Sequence, residues 1–204
     1  MRLLRSLLPV TIIFMLSCSN NRDKGKISIK DGKGNTTATF DVKSIEELTK
    51  VAEKSGDKAE ELKKLTPLST DQLKAMMPEE LMGIKKTSFS ADSYSGASSS
   101  TATYKSDDGK ELKLIIYDCA GEAGAGIYAV RYMTMWNIQH EDDHGYQKTV
   151  DFNGQKAVEN YVKSSDEYSL AFLSNDRFLV TVAGVKTGLD LVKQAANSLT
   201  LKIN

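Results

Sequence analysis

The sequence predicts an α+β fold: a single antiparallel sheet covered by helices, preceded by a short hairpin and a helical segment. Three observations predict it. Strand-like alternation recurs in two blocks, residues 86–117 and 146–183. The links within the second block are too short to join anything but antiparallel neighbours. One apolar segment of helical spacing, Ile127 to Ile138, separates the blocks, and a closing helix carrying Leu189, Val192 and Ala196 follows them. Runs of strands broken by single helices are the pattern of an α+β domain.

The first residues concern destination rather than fold. Arg2 and Arg5 precede an apolar run from Leu7 to Leu16 that stops at Ser17-Cys18, the order of an export signal. The run is too short for a bilayer, which needs about 20 apolar residues. Met15-Leu16-Ser17-Cys18 resembles the lipobox of bacterial lipoproteins. The resemblance implies that residues 1–17 are a cleaved signal peptide, and that Cys18 carries a diacylglyceryl thioether and an acylated amino group. An ordinary secretory peptide with an incidental cysteine is the rival reading. Ser19 stands where an Asp would retain such a protein in the inner membrane, so the same resemblance implies the outer one. Residues 18–26 are then a lipidated cysteine and a short polar tether, and residues 27–204 a single domain.

Along that domain, Ile27 to Lys30 and Thr36 to Val42 alternate around Asp31-Gly32-Lys33-Gly34-Asn35 and predict the hairpin. Ser44-Ile45-Glu46-Glu47 has the form of a capping box, with Ile45, Leu48, Val51 and Ala52 on one helical face and Gly56 weakening the helix near Asp57. A second box, Ser69 to Gln72, starts a short helix that Pro78 stops, and Pro78 to Gly83 predicts one further helical turn. This completes a leading part, residues 27–84. The sheet core, 85–204, opens with strands at Lys86 to Ala91, Ser98 to Lys105 and Leu112 to Tyr117. The Ser98 strand holds so little apolar surface that an edge or solvent-facing place is expected. Asn153-Gly154 and Ser174-Asn175-Asp176 mark hairpin turns among the last four strands. The order of elements over residues 85–204 resembles the PsbP-like α/β/α sandwich, whose known members mostly bind partners.

Composition narrows the function. The 27 basic and 27 acidic side chains balance, and removing residues 1–17 takes away two arginines and no acid. This gives no reason to expect a nucleic-acid partner. With Cys18 lipidated, Cys119 is the single thiol, so no intramolecular disulfide supports the fold.

Four features could carry chemistry. His140-Glu141-Asp142-Asp143-His144 satisfies H-E-x-x-H, the helical zinc motif in which the glutamate polarises a metal-bound water. The two aspartates, the following Gly145 and the lack of a third histidine speak against it. A third ligand would have to be a carboxylate such as Glu159 or Glu167. Gly121 to Gly126 could expose amides to a phosphate, but the spacing reverses the dinucleotide fingerprint and the plain reading is a tight turn. Cys119, among apolar neighbours, reads as a buried thiol. Met76, Met77 and Met82 form one methionine stretch, and Met133 and Met135, beside Trp136, a second. The helix from Ile127 to Ile138 is apolar except at Arg131, Thr134 and Asn137. Either the Met76 to Ile84 segment covers its second side, or these methionines and Trp136 form an adaptable binding surface.

The expectation is therefore a non-enzymatic lipoprotein of the bacterial envelope, needing no cofactor. It would be held to the membrane by its lipid and would bind an envelope protein or a small ligand. The alternative is a metal-dependent hydrolase using His140, Glu141 and His144. The anchor is directly testable. Cys18→Ala should move the protein from the membrane to the soluble fraction, since at about 0.8 kcal/mol per buried methylene the acyl chains supply the attachment. Fractionation after a high-salt wash checks it, and a variant still bound to membrane counts against lipidation.

Overall fold

The computed structural model describes residues 26–30, 36–94 and 96–201. Cys18, most of the tether and the turn at residues 31–35 lie outside them. The chain divides after Glu46 into two compact units. In the first, β1 (Lys26–Lys30) and β2 (Thr36–Asp41) pair antiparallel as a sheet of their own. Next in the chain is α1 (Val42–Lys63), which begins two residues before the predicted box and runs through Gly56 without a break. A mid-helix glycine costs about 1 kcal/mol. Val51, Ser55, Ala59 and Leu62 recur at helical spacing and are all buried, which outweighs that cost. Leu48 and Ala52, expected on the inner face, are exposed.

The second unit holds the nine-stranded sheet. Its strands are β3 (Glu80–Leu81), β4 (Ile84–Tyr94), β5 (Ala97–Lys105), β6 (Glu111–Asp118), β7 (Gln139–Asp142), β8 (Gly145–Phe152), β9 (Gln155–Val162), β10 (Glu167–Ser174) and β11 (Phe178–Val185). Their order across the sheet is β3-β4-β5-β6-β11-β10-β9-β8-β7, with every neighbouring pair antiparallel. The other helices are α2 (Thr70–Met76), α3 (Gly121–Thr134) and α4 (Gly188–Ser198). The first meander reaches the middle of the sheet at β6. From there α3 carries the chain to the far edge, and the second meander walks back until β11 pairs with β6. The fold is α+β with one antiparallel sheet.

Register assigns the two faces. Leu114, Val182 and Leu170 are aligned across β6, β11 and β10, as are Ile116, Val180 and Phe172. This face packs under Leu73, Met76 and Met77 at α2 and under Val192, Ala195 and Ala196 of α4. On the other face Leu179 pairs with Leu173, and both join Val158, Tyr128 of α3, and Ala59 and Leu62 of α1.

Three local expectations are corrected by these contacts. Pro78 to Gly83 is not a helical turn: Glu80 and Leu81 pair with Lys85 and Ile84. The link is Met82-Gly83, both at positive φ (52° and 78°), the conformation that suits a two-residue hairpin. β5 is an interior strand. Ser98, Ser100, Ala102 and Tyr104 are buried in alternation opposite Asp118, Ile116, Leu114 and Leu112. Its two buried serines lie toward the end of the sheet that the α1–α2 link reaches through its bond to Asp118, which Ser98 faces across the ladder. Ser100 Oγ is left there without a hydrogen-bond partner. The glycines of residues 121–126 are the first turns of α3 rather than a loop before it. A Cβ on Gly124 would sit 2.6 Å from the Cys119 carbonyl carbon, so the close approach expected of this run is real.

The α1–α2 link, β6 and the β10–β11 turn meet at one buried ion pair. Asp118 accepts from Arg177 Nε at 2.7 Å and Nη2 at 2.8 Å, from the Leu68 amide at 2.7 Å and from the Ala120 amide at 3.1 Å. Arg177 Nη2 also donates to the Thr66 carbonyl at 3.0 Å.

The methionine stretches lie on opposite faces of the sheet. Met76, Met77 and Leu81 belong to the α2 and α4 layer, whereas α3 is covered by α1. The segment from Met76 to Ile84 therefore does not cover α3. Met77 is buried and Met133 is 36% exposed. Met77→Ala should destabilise by roughly 2–5 kcal/mol, and Met133→Ala by less than about 0.5 kcal/mol. Denaturant unfolding of the two variants checks the contrast.

Candidate functional site

The C-terminal end of α3 forms one wall of a groove. Tyr128 and Tyr132 stack on one face of the helix, with centroids 5.7 Å apart, and Trp136 follows at the same four-residue spacing just beyond the helix end. Thr149 fixes that end: its hydroxyl donates to the Met135 carbonyl at 2.9 Å and accepts from the Ile138 amide at 2.7 Å. Met135 and Leu173 make the buried apolar floor. The β8–β9 hairpin supplies Asp151, Gln155 and Lys156, α1 supplies Lys54, and the β10–β11 turn supplies Asp176. The cavity measures about 260 Å³. That is near the lower end of ligand pockets, about 300–1,000 Å³, and suits a small molecule or an inserted side chain better than a large cofactor.

Two ammonium groups frame the aromatic rings. Lys54 Nζ lies 6.0 Å from the centre of Tyr132, and Lys156 Nζ lies 6.0 Å from that of Trp136 while bonding Asp151 at 2.9 Å. Chemically the groove offers ring faces, an apolar floor and charges of both signs, a set that binds by stacking and hydrogen bonding.

Of the methionine and tryptophan residues singled out in the sequence, Met135 and Trp136 reach this groove. Met133 lies on the exposed side of α3. Met76 and Met77 are core on the other face, and Met82 occupies the β3–β4 turn. Sequence reasoning missed Tyr132, Lys54, Lys156, Asp151 and Asp176. The spacing Tyr128, Tyr132, Trp136 was a usable signal, while the charged rim comes from three distant segments and leaves no local pattern.

The H-E-x-x-H segment is not helical. Gln139 to Asp142 is β7, and Asp142-Asp143-His144-Gly145 turns into β8. Asp142 holds that turn, accepting from the His144 amide at 2.8 Å and the Gly145 amide at 3.2 Å. The bond from the His144 amide, helped by His140 Nε2 at 3.2 Å, keeps the Asp142 carboxyl below its ordinary value. In a strand, adjacent side chains point to opposite faces, so Glu141 and His140 diverge. Among the described residues no three His, Cys, Asp or Glu side chains are grouped to hold a metal ion. Cys119 is fully buried, and burial pushes its thiol up to about 12. Such a group is not a ready nucleophile at neutral pH. Gly121 is buried, with Pro67 Cγ 3.0 Å from where its Cβ would be, so the helix start is closed to a phosphate.

Glu159, one of two carboxylates weighed as a metal ligand, is committed elsewhere. It is 1% exposed and accepts from Lys193 Nζ at 2.8 Å, Lys148 Nζ at 3.1 Å and the Tyr146 hydroxyl at 2.8 Å. Burial alone would raise its pKa, but the bonds from Lys193, Tyr146 and Lys148 outweigh burial and lower it. Burial, and then the Glu159 carboxylate, drives the Tyr146 phenol upward. A carboxylate with a folded-state pKa below its unfolded value stabilises the fold above the unfolded value. That contribution is lost as pH falls through the lowered one. Wild-type stability should therefore drop below about pH 4.5, the ordinary glutamate value. Glu159→Gln should be less stable at neutral pH and should lose this part of the acid dependence, as thermal unfolding across pH 3–7 would record. Comparison with known proteins finds no counterpart: no family model matches the chain, and no curated protein or solved structure is significantly similar to it.

Proposed function

We propose that this protein is a lipid-anchored component of the bacterial envelope, held at the outer membrane through Cys18, whose α+β domain binds a protein partner or a small ligand without catalysing a reaction. The observation that carries the binding role is the groove at the end of α3. It joins half-buried Tyr132 and Trp136 to an apolar floor and a rim of Lys54, Lys156, Asp151 and Asp176. Aromatic anchors in a partly closed pocket with a polar rim are the usual composition of a binding hot spot. The strongly held ionisable groups have structural duties: Asp118 and Glu159 pin elements together, and Asp142 holds a turn. The balanced charge supports a protein or small-molecule partner over nucleic acid.

Trp136 is the single tryptophan, so tryptophan emission, excited apart from the tyrosines, reports on the groove. Purification of the lipidated chain from native membranes, with mass spectrometry of what accompanies it, supplies the ligand. Adding that component back should shift the Trp136 emission. Trp136→Ala should weaken binding by about 30-fold or more, the loss of about 2 kcal/mol expected at a hot spot, with unchanged thermal unfolding. Met82→Ala, remote from the groove, should bind normally. Equal binding by both variants would remove the groove from the function.

A further inference from the structure

The two edges of the nine-stranded sheet are built differently. β7 is four residues long and carries His140, Glu141 and Asp142, a short charged edge of the kind that discourages strand addition. β4 is eleven residues long, and β3 pairs only with its first two, Ile84 and Lys85. From Ser88 to Tyr94 the outer side of β4 has no strand partner among the described residues, and Asp92 is the single charge in that run. The edge has no proline.

Backbone polarity fixes what this edge can accept. The Lys86 amide points outward, bonding the Glu79 carbonyl at 2.9 Å. A register shift follows between Lys86 and Ser88, where one extra residue enters β4. Counting from there along the alternation of an antiparallel ladder, Ser88, Ser90 and Asp92 bond inward to β5, and Phe89, Ala91 and Ser93 present their amides and carbonyls outward. Phe89 and Ala91 also send partly buried side chains to the α2 face of the core.

We infer that this edge pairs with the same edge of a second copy, antiparallel about a two-fold axis at Ser90, joining the two sheets into one. Outward groups meet outward groups in a self-paired strand only if the axis passes through a residue position. Of those registers, the one at Ser90 sets Phe89 against Ala91 of the second copy, large against small, on the face already packed on the core. It keeps the two Asp92 side chains apart, each opposite Ser88 of the other copy. An axis at Phe89 would run both strands into their bulges, and an axis at Ala91 would bring the two Asp92 side chains to diagonal positions, where like charges repel. With Asp92 as its single charge, kept from its counterpart by this register, the run can face a copy of itself, whereas β7 against β7 would oppose acidic strands. Self-pairing also closes: it uses up both β4 edges and cannot continue as a filament.

Cysteine cross-linking of the full chain tests the register. Ser90 would form a non-hydrogen-bonded pair with its counterpart, with Cα atoms about 4.5 Å apart, inside the roughly 4.4–6.8 Å that a disulfide spans. Ser90→Cys, oxidised with diamide, should give a disulfide-linked dimer. Ser88→Cys or Asp92→Cys alone should not, because each residue would sit four positions, roughly 14 Å, from its own counterpart; a mixture of the two should cross-link. The unsubstituted chain, with Cys18 and Cys119, is the control. Ala91→Pro removes an outward amide and spares the ladder to β5, so it should keep the thermal transition while the Ser90→Cys dimer is lost. Absence of the Ser90→Cys dimer, equal cross-linking at all three positions, or capture of a different protein at Ser90→Cys would each overturn the self-pairing.

Discussion

The rest of the second unit depends on where Asp118 and Arg177 meet. The pair sits at the end of β6 and in the turn between β10 and β11, the two parts of the chain that must come together for the central β6–β11 ladder to form. Asp118 spends its remaining acceptor capacity on the amides of Leu68 and Ala120, and Arg177 reaches the Thr66 carbonyl. Three segments distant in sequence, the α1–α2 link, the end of β6 and the β10–β11 turn, are thus tied to one carboxylate that is fully buried. Removing one partner of such a pair leaves an uncompensated charge inside, at a cost of about 3–5 kcal/mol. A hydrophobic pair of similar shape could hold two strands together, but it could not also satisfy the backbone of the α1–α2 link. What the ion pair adds over apolar packing is the position of that link.

Placement of α3 follows from the same corner. The chain leaves β6 at Asp118, Cys119 is buried at once, and α3 starts two residues later with Gly124 against the strand end it has just left. Because Gly124 brings the helix so near the Cys119 backbone, Tyr128 reaches the sheet and packs with Leu179, while the next aromatic residues at that spacing, Tyr132 and Trp136, are half-buried. Past the last turn the chain still touches the core through Met135, and Trp136 beside it is half-buried. It lines the groove beside the β8–β9 hairpin, with Thr149 holding the chain in place as it turns toward β7.

How much of this was legible in the sequence depended on whether the signal was local. The strands from Tyr146 to Ala183, the capping box at Ser69 and the Asn153-Gly154 turn depend on neighbours within a few residues and were readable. The predicted helix at Ile127 was found, yet its start was misplaced to the end of the glycine run, because glycine is a poor helix former and the tight seat of Gly124 at Cys119 is a tertiary contact that no local pattern carries. Ser98 to Lys105 was assigned to an edge or solvent-facing place on its small side chains, although the strand lies between β4 and β6 with Ser98, Ser100, Ala102 and Tyr104 buried. Glu159 shares a face of β9 with buried Ala157 and half-buried Tyr161. Nothing in its own stretch announces that Lys148, Lys193 and Tyr146 would enclose it.

The surplus apolar surface of α3 makes a final point about the groove. A helix that only roofs a sheet needs one apolar stripe, and this one has more. α1 takes up part of the excess through Ala59 and Leu62, and through Ser55, whose hydroxyl donates to the Ala129 carbonyl at 3.2 Å. Val130 remains 63% exposed and Met133 36%, so α1 does not cover the helix all round. Single exposed apolar residues are ordinary on a protein surface. Trp136 is a different case, because it stands over a cavity with charges arranged around its ring. If the excess served packing alone, the aromatic series should end where the core ends. Instead it continues past the last turn of α3 to Trp136, where Lys54 and Lys156 approach from different layers. On that continuation, more than on the methionines, the proposed binding role of the groove rests.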